Sequence, residues 1–204
     1  MFEYQDFDVF EVEGLDERMA EVRRVIQPKF QVLDERVVKE LEPLLEEELI
    51  IHIAQHRRRT TNAPDFTWSA MGGDKRGYKK YPHFTLGING EYIVMWLSFI
   101  DNPLNEKAMA DALMKEEELF ASLPEDFMIN LDHTVNTYHS LKEADLTEAL
   151  TRWRDVKKGE FQLGRVLLKT DELLNQPEKA IDYMVETYVK LVPFYQLTRP
   201  MSQV

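Results

Sequence analysis

No cysteine occurs among the 204 residues, which excludes disulfides, thiolate metal sites and a cysteine nucleophile together and fits a reducing compartment. A signal peptide is not expected either, because the opening MFEYQDFDVFEVEG has neither a basic start nor an apolar run. No stretch approaches the ~18 apolar residues that a membrane helix requires. A cytoplasmic protein without membrane contact is the expectation. Internal repeats, linkers and low-complexity tracts are also absent, and 204 residues suit one core, so residues 1–204 are expected to form a single domain. Basic residues are scarce: 25 Lys and Arg stand against 37 Asp and Glu, a net charge of −12 that repels nucleic acid and anionic surfaces at long range. Nucleic acid is therefore not an expected partner.

An apolar share of 44% with 11% aromatic residues supplies a core. The charge is unevenly spread. From His56 to Lys80 seven bases (Arg57, Arg58, Arg59, Lys75, Arg76, Lys79, Lys80) face two acids (Asp65, Asp74), leaving 18 bases against 35 acids elsewhere.

The periodicity places a helix after Gly14, with Asp16 as its N-cap and Leu15, Met19, Val22, Val25 and Ile26 as its stripe, interrupted by Pro28. A second helix is expected over 28–49, kinked at Pro43. The period then changes to two. Strands are expected over 50–56, 66–72, 83–89, 91–100, 127–132 and 161–169, with Asn89-Gly90 closing a hairpin. Helices are expected over 105–122, 146–156 and 177–191. The fold class is α+β: a largely antiparallel sheet of about six strands with helices packed on it.

Strand parity separates two faces. Ile51 and Ile53 oppose His52, Ala54 and His56; Phe84, Leu86 and Ile88 oppose His83 and Thr85; Phe127, Ile129 and Leu131 oppose Met128, Asn130 and Asp132. One face is core. The other collects short hydrogen-bonding side chains, with either Thr67 and Ser69 or Trp68, and reads as a lined cleft.

His52 and His56 lie four apart, but in a strand this is about 13 Å at ~3.3 Å per residue, too far to share an ion, so no metal site is expected. No cofactor motif is found. The basic segments His56-Arg57-Arg58-Arg59 and Lys75-Arg76-Gly77-Tyr78-Lys79-Lys80, beside Trp68 and Tyr81, suit a phosphorylated or anionic small molecule through charge pairing and stacking. Whether the two segments converge is open at this level. Pro82-His83-Phe84-Thr85 matches the His-x-Thr signature of two-histidine phosphoesterases superficially, but its only companion, Asp132-His133-Thr134, has the wrong spacing. Asp132-His133 could alternatively orient an imidazole for acid–base work. Lys157-Lys158-Gly159-Glu160 reads as a helix C-terminus with a glycine stop.

VEGLDERM (12–19), His52-x-x-x-His56 with Arg57 and Arg58, Thr67-Trp68, KRGYK (75–79), PHF (82–84) with Gly87, Leu123-Pro124 with Asp132-His133, VKKGEF (156–161) and Pro193-Phe194-Tyr195 together resemble the YktB-like proteins, a family of Gram-positive bacteria without an established activity. The resemblance spans nearly the whole chain. It implies an α+β fold and a cytoplasmic bacterial protein. It also implies Gln as the usual residue where Thr85 stands, which weakens the phosphoesterase reading. No catalytic residue carries over. The expected function is binding of an anionic small molecule by His52, His56, Arg57, Arg58, Trp68, Lys75, Arg76, Tyr78, Lys79, His83, Asp132 and His133. The alternatives are an acid–base enzyme using His83 or Asp132-His133, and a nucleic-acid or protein interaction module.

Overall fold

Alternating hydrophobicity in the middle of the chain builds a seven-stranded sheet in the computed structural model, which describes residues 1–73 and 75–203. The strands are β1 (Ile51–Ile53), β2 (Phe66–Met71), β3 (His83–Asn89), β4 (Tyr92–Phe99), β5 (Met128–Asn130), β6 (His139–Ser140) and β7 (Phe161–Leu168). Their order is β1-β2-β3-β4-β7-β5-β6, and every pairing is antiparallel. Asn89 makes the β3–β4 hairpin close tightly, since its Oδ1 accepts the backbone N–H groups of Glu91 (2.8 Å) and Tyr92 (2.9 Å).

The helices are α1 (Leu15–Glu21), α2 (Gln27–Leu45), α3 (Glu106–Leu113), α4 (Glu117–Ala121), α5 (Leu146–Asp155) and α6 (Pro177–Thr198). They lie on one face of the sheet. Phe30, Leu33, Val37 and Leu41 of α2 and Met184, Tyr188 and Leu191 of α6 bury against Phe84, Leu86, Ile93, Met95 and Leu163, all below 3% exposed. Among the described residues no helix is long and apolar enough to cross a membrane.

Several expected boundaries move, each for a local reason. Pro28 does not separate two helices: α1 passes into α2 through a π turn (Val22–Ile26), in which Gln27 N–H reaches back to Val22 O, so the ladder changes pitch just where proline brings no N–H. Gly14 with φ 89° precedes α1, leaving Asp16 in the first turn instead of at the cap. The second helix stops at Leu45, where Glu46 turns left-handed. The helix expected over 105–122 breaks in two, because a continuous one would put Glu116 or Glu117 on the stripe of Leu113 and Phe120; the break leaves Glu117 exposed and returns Phe120 to the core. The last helix continues through Pro193 to Thr198. β1 is shorter than expected, ending at Ile53, and β6 is an additional strand.

Candidate functional site

The sheet face without helices carries an aromatic slot. Its register aligns Trp68 with Gly87 and Val94, Thr85 with Trp96, and His83 with Ser98 and Gln162, all pointing away from the helical core. Gly87 is required here, because a Cβ would come within 2.3 Å of the Phe66 ring that lies across it. Phe66, Trp68, Tyr92, Val94, Trp96, Tyr138 and Val135 wall a cavity of about 60 Å³, to which His83, Thr85, Asn130, His133 and Gln162 add polar edges. At ~15 Å³ per water this admits about four waters, or one thin planar group. No α-helix lines it.

The floor is a short polar chain. Gln162 Nε2 donates to Ser98 Oγ (2.8 Å), which lies 2.9 Å from Thr85 Oγ1. The roof is the loop 131–137. Asn130, itself buried, donates from Nδ2 to Thr137 O (2.6 Å) and Val135 O (3.4 Å) and accepts the Asp132 N–H on Oδ1 (2.8 Å), pinning the loop over the slot.

Beside the slot stands a ring cluster. His52 stacks on Tyr78 (4.7 Å), Tyr78 meets His83 edge-on (5.0 Å), and the Tyr78 hydroxyl accepts the Trp68 indole N–H (2.9 Å). Lys79 lies over the Trp68 ring, 5.6 Å from its centroid, and pairs with Asp101. Burial pushes the His83 imidazole down to about 4, although the bond between Nδ1 and Tyr81 O (2.9 Å) opposes the shift. At neutral pH His83 is therefore uncharged, donating from Nδ1 and presenting Nε2 as an acceptor.

The predicted residues fall into two groups. Trp68, His83 and His133 line the slot, and His52, Tyr78 and Lys79 flank it. Arg57, Arg58, Lys75 and Arg76 are exposed in the loops after β1 and β2 and stand outside its lining. Because β1 ends at Ile53 and His56 adopts φ 49°, strand parity no longer sets the direction of His56: its Nε2 lies 3.0 Å from Thr67 Oγ1, while its ring meets the slot wall Trp68 edge-on at 5.3 Å. Thr67 and Ser69 are fully buried, so of the two parities considered for β2 it is Trp68 that faces the slot.

His133 is oriented by Glu160, not by its neighbour Asp132. Glu160 is buried and accepts the backbone N–H of His133 (2.8 Å) and of Asp101 (3.1 Å), while His133 Nδ1 lies 2.8 Å from both carboxylate oxygens. Burial raises the Glu160 carboxyl, but the hydrogen bonds from His133 and the backbone outweigh it and hold the group below its usual range. Asp132 instead accepts the N–H and hydroxyl of Thr134, which hold its carboxyl low.

Glu160, Asp101, Gln162 and the rings of Phe66, Tyr92, Trp96 and Tyr138 were not anticipated as site residues. Parity within β4 and β7 carries the signal for Trp96 and Gln162. Asp101 and Glu160 lie just outside strands, where alternation gives none.

The sequence model of one protein family, a domain of unknown function (DUF1054), matches residues 2–195. A UPF0637 protein of Enterococcus faecalis is 56% identical over 197 residues, covering 97% of this chain and 97% of its own length. UPF0637 proteins of Shouchella clausii and Listeria monocytogenes are 42% and 38% identical over 198 and 195 residues, covering 97% and 96% of this chain and 94% and 96% of theirs. The chain belongs to the DUF1054 family, an uncharacterised family with members in Gram-positive bacteria, in accord with the resemblance carried by its motifs.

Proposed function

For this member of the DUF1054 family we propose binding of a small anionic molecule that has a planar portion, the ring entering the slot and the charge resting against the basic segment beside it. The observation that carries this reading is a cavity walled by four large aromatic rings and Tyr138, on the one sheet face that no helix covers. Such a site favours a flat, mostly apolar group with a few hydrogen-bonding edges. Lys79 supports the anionic part, because it lies over Trp68, a wall of the slot. The exposed Arg57, Arg58, Lys75 and Arg76 add long-range attraction within an otherwise acidic surface.

A thermal-shift and tryptophan-fluorescence panel of free planar heterocycles, their phosphorylated forms, aromatic carboxylates and sugar phosphates tests the proposal. Ligand at ~100 times its dissociation constant adds about 2.7 kcal/mol to stability. Compounds with both a ring and an anionic group are expected to stabilise and to quench Trp96 or Trp68. Trp68→Leu should weaken the ring contribution, and Arg58→Glu with Arg76→Glu the charged one. A panel flat for all ring-bearing anions would refute the proposal.

A further inference from the structure

Strand order brings three metal-type ligands to one end of the sheet. β4 pairs with β7 at Phe99 and Phe161, and β5 pairs with β7 at Asn130 and Gln162. Asp101 just past β4, Glu160 just before β7 and His133 just past β5 therefore meet, with one ligating atom from each all within 4.8 Å of one another. We infer that Asp101, His133 and Glu160 form a binding site for one divalent cation of the zinc or manganese class, at the end of the slot that His133 lines.

The site is preorganised. The oxygens of the buried Glu160 are fixed by the backbone N–H groups of the two other ligand residues, so each ligand locks the next. Asp101 and its neighbour Asn102 hold left-handed backbone (φ 57° and 58°), and Asp101 offers a carboxylate oxygen within 4.8 Å of the His133 and Glu160 ligand atoms. His133 Nδ1 approaches both Glu160 oxygens equally, at 2.8 Å, as a nitrogen and a carboxylate do around a shared centre. A cation ~2.1 Å from each ligand replaces the hydrogen bond between Nδ1 and Glu160, with His133 binding it as a neutral imidazole that has given up its Nδ1 proton. One imidazole with two carboxylates is a borderline-to-hard donor set, which suits zinc or manganese.

Lys79 is the competing charge, paired with Asp101 across a partly exposed contact. Displacing a pair of that exposure costs about two- to fivefold in affinity, far less than three coordinate bonds supply. The cation therefore wins. Released from Asp101, Lys79 keeps its place over Trp68, free for an anion at the mouth of the slot.

The test titrates the full chain, stripped with a chelator and dialysed, with zinc chloride and with manganese chloride by calorimetry, using magnesium chloride as control and circular dichroism to check each variant. One equivalent of zinc or manganese is expected to bind in the micromolar range. His133→Gln and Glu160→Gln should each weaken binding at least about thirtyfold and Asp101→Asn about tenfold. Lys79→Met should tighten it about two- to fivefold. If Glu160→Gln does not fold, Asp101→Asn at an exposed position and Lys79→Met at a half-buried one decide the matter. No binding up to about 1 mM of either metal, or binding that Asp101→Asn and His133→Gln leave unchanged, overturns the site. This result is separable from the anionic-ligand panel, in which Lys79→Met weakens binding.

Discussion

Asp34 lies on the sheet-facing side of α2 with no exposed surface, and neither carboxylate oxygen receives a hydrogen bond of ordinary geometry. The nearby Ser69 hydroxyl favours the charged form, but it donates to Leu86 O at 3.5 Å. Burial wins and pushes the carboxyl up to about 7, with the Glu35 charge adding to the shift. In the unfolded chain the same group titrates near 3.8. Between these values the folded state keeps a proton that the unfolded state has lost, so stability falls as pH rises, by about 1.4 kcal/mol per pH unit and by at most ~4 kcal/mol in all. Asp34→Asn removes this dependence while keeping the shape. The stability difference between variant and wild type should therefore grow by about 2.7 kcal/mol from pH 5 to pH 8, most of it below pH 7. Urea denaturation at unit pH steps measures it, and the histidine contributions, common to both proteins, cancel in the difference. A difference that stays constant across this range, with unchanged m-values, refutes the reasoning.

Further outcomes follow from the site. His83 is 1% exposed and its imidazole is held at about 4 against 6.5 unfolded, so its contribution is complete above pH 6.5 and is lost as pH falls towards 4, by up to ~3.4 kcal/mol; His83→Asn should flatten acid unfolding across that window. Gly87→Ala forces the Phe66 ring from its place and should destabilise by about 1–3 kcal/mol, with a red-shifted tryptophan emission as the slot opens, whereas an unchanged midpoint would show that the ring gives way freely. Asn130→Ala strips the loop 131–137 of three hydrogen bonds and should cost about 1–3 kcal/mol, with faster amide exchange in that loop and easier acrylamide quenching of Trp96. Protection of the loop equal to that in the wild type would rule out Asn130 as its anchor.

The antiparallel meander was legible because β2, β3 and β4 alternate cleanly and Asn89-Gly90 announces its own turn. The two faces followed from the same alternation, including the placement of His83, Thr85 and Asn130 together. Charge was a poorer guide. The arginines of the β1–β2 loop dominate the local sequence balance, yet a loop of polar residues between short strands has little apolar surface to bury, so it projects into solvent, whereas Lys79 between β2 and β3 folds back through its stem onto Trp68. His56 reaches Trp68 as expected but not by strand parity, which holds only as long as the ladder does: β1 pairs for three residues before the chain turns left-handed at His56.

The carboxylate and imidazole cluster lay beyond any reading of local pattern, and the reason is topological. Asp101, His133 and Glu160 are separated by 32 and 27 positions, and each sits one to three residues outside a strand, where no periodicity marks the direction of a side chain. What joins them is that β7 inserts between β4 and β5, an order that hydrophobic patterning does not encode. Once β7 is inserted, little freedom remains. Antiparallel pairing puts the end of β4 and the start of β7 side by side, and the β5–β7 register does the same for the end of β5. Gly159 then tightens the turn into β7, since a Cβ there would meet Arg152 O at 2.7 Å, and so brings Glu160 beneath His133. A shift of β7 by one residue would turn Gln162 out of the slot floor and move Glu160 to the other side of its strand. The floor and the cluster thus depend on one register, and any change that slips β7 should abolish both together.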